Sequence, residues 1–182
     1  HLYNNQGHGL KYKLRQVENP LWIDRKNPYL SENEAYKFGL SILDLFHESM
    51  ERFPKRVVIH KRTPFQPTEI NGLRKSLAMG GVTEIDLISI TEEANIKAVS
   101  QIANSYGIYT DGYPLKRGVC IQISNQEILL WTHGSVPSVQ QGRLYYAGGR
   151  AIPSPLRIKR CYGSTDIETI ASEVLSFTKM DW

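Results

Sequence analysis

The segment Arg56-Val57-Val58-Ile59-His60 constrains this chain more than any other. It is a short run of β-branched residues with no polar alternation, so it reads as a strand buried on both faces. A strand of that kind needs covering elements on either side. One candidate lies just before it. Ser31 and Glu34 have the spacing of a capping box, in which each side chain satisfies an exposed backbone donor at a helix start. Ala35, Phe38, Ile42, Leu43, Phe46, Met50 and Phe53 then follow at helical spacing, and Pro54 marks the stop.

The pattern continues in the same style. Pro64 and Pro67 open a second helix carrying Ile70, Leu73 and Leu77, and Gly80-Gly81 ends it. Ile85 to Ile90 reads as another apolar strand of the central-sheet kind. Ala94 to Tyr106 reads as a helix with Ile96, Val99 and Ile102 turned inward. Val119–Ser124 and Glu127–Thr132 flank Asn125 and form a predicted hairpin. Leu144–Ala147 and Leu156–Cys161 are further strand candidates. Thr165 with Glu168 is a second capping-box pattern, opening a last helix with Ile167, Ile170, Ala171, Val174 and Leu175 inward. Residues 1–30 are polar, with Gly7, Gly9, Asn27 and Pro28, and read as loop with one or two strands. No repeat or low-complexity tract interrupts the chain. The whole reads as one α/β domain with a mixed sheet, and 182 residues suffice for one core.

Composition excludes several classes. At 41% hydrophobic and 22% charged the chain is ordinary for a soluble domain. No window approaches the ~18 consecutive apolar residues of a membrane helix. The stretch His1 to Lys13 has no apolar region of the signal-peptide kind. The first residue is His1 and the first methionine is Met50, which suits a processed chain or a piece of something larger. Cys120 and Cys161 are the only cysteines, without a CxxC pair, so no zinc site is expected. Both are expected to be small buried hydrophobes in a reducing cytoplasm. The net charge of +4 is clustered. Lys55, Arg56, His60, Lys61 and Arg62 crowd one segment, and Arg157, Lys159 and Arg160 another. A lone cluster reads first as a solvated face. Two clusters beside strand ends suit a phosphate-binding groove.

Catalytic readings fare less well. Phosphodiester cleavage with two divalent ions about 3.5–4 Å apart needs converging carboxylates. The strand Arg56–His60 leads instead into Lys61-Arg62-Thr63, where two cations would repel metals. The other acids considered are Asp24, Glu32, Glu34, Asp86, Asp111, Asp166 and Asp181. Glu32 and Glu34 suit the first turn of a helix. Asp86 is read as a strand aspartate facing a sheet edge or a helix start before it is read as a ligand. The cysteines lack an activating setting, and no GxSxG, Walker or GxGxxG pattern exists. His133, beside Gly134, reads as a loop histidine or phosphate contact rather than a base. Tyr145, Tyr146, Tyr162, Trp131 and Trp182 interleave with Arg143, Arg150, Lys159 and Lys179, which suits nucleic acid. The plainer reading puts half of each strand's aromatics in the core.

Four stretches together resemble the PIWI domain of Argonautes, particularly the short prokaryotic ones. The first is the helix from Ala35 running into Phe53-Pro54-Lys55-Arg56-Val57-Val58-Ile59-His60-Lys61; in the family a helix leads into a strand ending in His-Lys or His-Arg. The second is Glu84-Ile85-Asp86-Leu87-Ile88-Ser89-Ile90. The third is Gly118 through Leu130-Trp131-Thr132-His133-Gly134, similar to a hairpin with an aromatic-Thr-x-Gly turn. The fourth pairs Ile152-Pro153-Ser154-Pro155-Leu156-Arg157-Ile158 with the ending Leu175-Ser176-Phe177-Thr178-Lys179-Met180-Asp181-Trp182.

The resemblance implies an α/β, RNase H-like mixed sheet flanked by helices: a single PIWI-type domain over residues 1–182, incomplete at both ends. It implies binding of a guide strand paired to its target. In slicing Argonautes a metal-binding Asp follows the His-Arg pair. Here Arg62 stands in that place, with Thr63 where slicers often carry Gly. This implies a catalytically inactive domain and no enzyme, with no catalytic residue, metal ligand or cofactor in this chain; magnesium at a guide 5′-phosphate would belong to the complete protein. The nucleic-acid contacts expected are His60, Lys61, Arg62, Lys75, Thr132, His133, Arg150 and Lys179. The implied partners are a guide RNA or DNA, a complementary target expected to be DNA, and an APAZ-containing effector such as a sirtuin-like or TIR NADase. The implied setting is cytoplasmic prokaryotic defence, away from membranes. Two other readings stand beside it. One is an active magnesium-dependent guide-directed nuclease with displaced ligands such as Asp86 and Asp181. The other is a protein-interaction module on an RNase H-like scaffold.

Overall fold

The structure is a computed structural model that describes residues 1–4, 8–18, 20–23, 26–136 and 152–178. Among the described residues the main sheet has five strands. β5 (Arg56–Lys61) pairs parallel with β6 (Glu84–Glu92), placing Arg56 opposite Glu84 and Lys61 opposite Ser89. β10 (Glu127–Leu130) pairs antiparallel with β9 (Cys120–Ser124) and with β11 (Leu156–Tyr162). The order across the sheet is β5-β6-β11-β10-β9. The expected mixed α/β sheet is therefore present. The described residues divide into two compact units, 1–89 with 160–165, and 90–159 with 166–178.

In the first unit the strand predicted from its β-branched run is β5. α1 (Glu32–Met50) precedes it and α2 (Pro67–Met79) follows. Ser31 caps α1 by accepting from the Glu34 N–H, as expected. The reciprocal half of the box is replaced: the buried Glu34 carboxylate takes Arg15 and Lys37 instead, at 2.8 and 3.0 Å. The buried stripe of α1 runs through Ala35, Gly39 and Leu43; Phe38 and Phe53, part of the apolar series at helical spacing, are exposed, Phe53 beyond the end of the helix. α1 and α2 approach closely because glycines stand at the crossing. A Cβ on Gly72 would overlap the Glu32 carbonyl oxygen and lie 2.8 Å from Ala35 Cβ. Ala35, Phe65, Leu73 and Leu87 form one apolar cluster, with Ile59, Ile70 and Ile85 packed against it. Leu43, Leu77 and Val82 form another with Val57 and Leu40. The N-terminal stretch holds two small ladders, β1 (Leu2–Tyr3) with β2 (Gly9–Lys11), and β3 (Leu21–Trp22) with β4 (Pro28–Tyr29).

In the second unit α3 (Ile167–Phe177) packs on β10, burying Ile167, Ile170, Ala171 and Val174. Ile128 and Ile158 face each other across the β10–β11 ladder, both fully buried. The helix expected over Ala94–Tyr106 is a hairpin instead: β7 (Val99–Asn104) pairs antiparallel with β8 (Gly107–Pro114). The i, i+3 spacing of Ile96, Val99 and Ile102 fits a helix face equally well, but turn chemistry decides. The Asn104 side chain accepts from the Tyr106 N–H, and Gly107 takes φ 135°, open to glycine and strained for other residues. Val99 and Ile102 are exposed.

Two smaller expectations also change. α3 is capped by Asp166, whose carboxylate accepts from Glu168 N and Thr169 N, while Thr165 turns its hydroxyl to Asp86. Cys120 is exposed on the edge strand β9 and Cys161 is half-buried; neither forms a disulfide. The strand candidate Leu144–Ala147 lies outside the described residues.

Candidate nucleic-acid interface

β5 carries its basic end at the C-terminal side, where it leaves the sheet toward α2. Alternation along a strand sends neighbouring side chains to opposite faces. His60 and Arg62 are exposed, while Lys61 between them is only partly so. Arg62 makes no ion pair or hydrogen bond among the described residues. Lys61 is fully engaged. Its ammonium lies 2.6 and 2.7 Å from the two Glu69 oxygens, 4.7 Å over the Tyr29 ring and 5.2 Å over Phe65. Glu69 is 2% exposed and also accepts from the Gln66 and Leu30 amides at 2.9 and 3.1 Å. It thereby completes a capping box with Gln66 at the start of α2. The Gln66–Glu69 spacing was a readable signal for this knot. Its partner Lys61 was not, because that pairing depends on how α2 folds back along β5.

Lys75, on α2, pairs with Glu32 of α1, and both line an open cleft of about 370 Å³ with Asn33 and Tyr36. Lys55 is exposed at the opposite end of β5. Near it, Arg56 Nε stands 3.4 Å from Asp86. Asp86 is 1% exposed and accepts from Thr165 N at 3.2 Å and Thr165 Oγ at 2.6 Å. The turn Gly163–Thr165 folds tightly over this carboxylate. Gly163 has φ 113°, and a Cβ there would overlap Asp86 Oδ1. Asp86, near the N-terminal end of β6, thus ties down the turn that precedes α3; it faces neither a sheet edge nor the helix start itself, which Asp166 caps.

In the second unit Thr132 is buried and its hydroxyl lies 3.2 Å from His133 Nδ1; His133 is exposed. Trp131, grouped by sequence with the surface aromatics, is a core residue, 1% exposed, whose ring nitrogen donates to the Pro153 carbonyl at 3.3 Å. In the second basic cluster Arg157 is paired with two acids. Arg157 bonds Glu93 at 2.9 Å and also Glu127. The hydrogen bond it donates to Glu93, with help from Glu127, pushes its guanidinium above the ordinary arginine value. Arg160 donates to the Thr165 carbonyl. Arg117 reads as a clamp that sequence reasoning missed: it bonds the Thr132 carbonyl at 2.9 Å, the Leu175 carbonyl at 3.3 Å and Thr178 Oγ at 2.6 Å. Arg150, Lys179 and Asp181 lie outside the described residues.

Among the described residues no group of three or more His, Cys, Asp or Glu stands together to hold a metal ion. Asp86 and Glu69, the two most buried acids, have their oxygens taken by Thr165 and Arg56, and by Lys61 and two amides. Among the described residues no helix is long and apolar enough to cross a membrane.

No protein-family model matches the chain, and no curated protein matches it by sequence. Solved structures do match. The Clostridium butyricum Argonaute bound to a guide DNA and a 19-mer target DNA superposes with a TM-score of 0.59 over 86% of this chain, at 18% identity. A structure of Aquifex aeolicus Argonaute superposes with a TM-score of 0.53 over 82% of the chain, at 17% identity. One of Aa-Ago with externally bound siRNA gives 0.53 over 84%, at 15% identity. The chain spans 18–19% of the length of these proteins. Its five-stranded mixed sheet with flanking helices has an Argonaute-like, RNase H-like α/β fold.

Proposed function

We propose that this chain is a PIWI-type domain that binds a guide strand and the guide/target duplex without cutting it. The observation that carries the reading is the end of β5: an exposed, unpaired Arg62 stands where the family resemblance puts a metal-binding Asp, on a fold shared with an Argonaute that holds guide and target DNA. A guanidinium there repels divalent cations and attracts phosphate. The occupied oxygens of Asp86 and Glu69 support the same reading. His60, Lys75 and His133 are exposed, and on this reading they face the backbone of a polyanion, with Arg150 and Lys179 as further contacts. Such contacts fix register while base pairing carries sequence.

On this reading the chain acts in prokaryotic defence, and the chemistry belongs to a separate APAZ-containing effector such as a sirtuin-like or TIR NADase. The test is to purify the full protein that carries this chain from its host, sequence the nucleic acid bound to it, and add matched target with magnesium. Guide-length strands with an uncut target are expected. A cut target places an active site elsewhere in the protein; absence of any bound strand removes the function.

A further inference from the structure

We infer that Lys61 is a positioning residue and not a phosphate contact: its ion pair with Glu69 holds the turn between β5 and α2 so that Arg62 is the cation presented to a polyanion. This rests on the nucleic-acid reading above. The Glu69 carboxylate receives four hydrogen bonds, two from Lys61 Nζ and one each from Gln66 N and Leu30 N. That fills the acceptor sites a carboxylate has. Moving Lys61 to a phosphate would leave a charge that is 2% exposed without a counter-ion, which proteins do not tolerate cheaply. The aromatic faces of Tyr29 and Phe65 hold the ammonium from other sides. The chain is thus pinned at residue 61 and again at residue 66, with Phe65 buried between. Arg62 projects from a short turn fixed at both ends, so its backbone has little freedom left to lose on binding.

The test begins with the unaltered full protein. Each lysine is acylated with a water-soluble ester, and the extent is read by mass spectrometry with and without a 5′-phosphorylated guide strand annealed to complementary DNA. Lys61 is expected to react slowly in both states, well behind exposed Lys55. Rapid labelling of Lys61 that the duplex suppresses would overturn the inference. Affinity as a function of salt then separates the roles. R62A is expected to lower the log–log salt slope by about one, the loss of one phosphate contact. K61M is expected to leave the slope unchanged, and K61R to recover any affinity that K61M loses. E69Q adds net positive charge, so charge alone predicts tighter binding; the positioning role predicts weaker binding. A tighter E69Q complex, or a slope lowered by about one in K61M, overturns the inference. A duplex that fails to bind the unaltered protein removes the proposed function and this role together, whereas rapid labelling of Lys61 beside normal duplex binding overturns the role alone.

Discussion

Replacing Asp86 with Asn decides whether that carboxylate is a structural tie or a metal ligand. The structure sets the size of the effect. Asp86 accepts two hydrogen bonds from Thr165, at 3.2 and 2.6 Å, and stands 3.4 Å from Arg56 Nε. Hydrogen bonds to a charged group contribute about 1.5–3 kcal/mol each, against about 0.5–1.5 kcal/mol for neutral ones. Asn keeps one carbonyl acceptor and turns an amino group toward the remaining donors, so each Thr165 bond weakens by about 1 kcal/mol. The Arg56 contribution is discounted, because its side chain is 30% exposed and can turn to water. The expected cost is about 2 kcal/mol. For a chain of this length that lowers Tm by about 4–8 °C, at roughly 2–4 °C per kcal/mol.

The assay is thermal unfolding by circular dichroism, with and without millimolar magnesium, on D86N, T165V and the double variant. Shared contacts predict that the double variant costs less than the sum of the single ones, by about 0.5–3 kcal/mol. Magnesium should shift all four proteins alike. If D86N melts with the parent, or if magnesium stabilises the parent and not D86N by the mass-action relation, the structural account of Asp86 is wrong.

Other consequences are open to measurement. Gly72→Ala improves helix propensity by about 1 kcal/mol, yet the added Cβ meets the backbone of α1; overpacking of about 1–3 kcal/mol should win, and a raised Tm would count against the described helix crossing. Trp131→Ala should cost about 3–5 kcal/mol, and acrylamide should quench Trp22, 63% exposed, far more readily than Trp131. Glu48 is held below its ordinary value by a hydrogen bond from Lys11 at 2.8 Å and by that lysine's charge. A carboxylate depressed in the folded state contributes stability above its unfolded value and loses it as pH falls through the folded one. Nuclear magnetic resonance should therefore find the Glu48 midpoint moved upward in K11A.

How much of this was legible in the residues differs by element. α1, β5, α2 and β6 were readable because periodicity, caps and a β-branched run agree locally. The β7–β8 hairpin was not, since Ile96, Val99 and Ile102 satisfy a helical period. The signal that could have corrected it was the Asn104–Gly107 turn followed by Ile108, Tyr109 and Thr110. The start of α3 was ambiguous because Thr165 and Asp166 both carry capping oxygens. Only the distant Asp86, 79 residues away, takes Thr165 out of the contest. At the candidate interface the basic clusters were legible and their availability was not. Which cation is free depends on acids brought from elsewhere, Glu69 to Lys61 and Glu93 to Arg157. Burial of Trp131 and Thr132 likewise depends on packing.

The sheet order β5-β6-β11-β10-β9 has a kinetic consequence. Of these five described strands the middle one is the last synthesised. Until residues 156–162 leave the ribosome, β6 and β10 each wait with a row of backbone donors and acceptors unmatched. Closure of the sheet is then a single long-range insertion, slow compared with the local hairpins. A nascent chain arrested before Leu156 would carry two open sheet edges beyond those of β5 and β9, a species prone to pair with a neighbour. Folding of this sheet should therefore depend on how long that gap stays open.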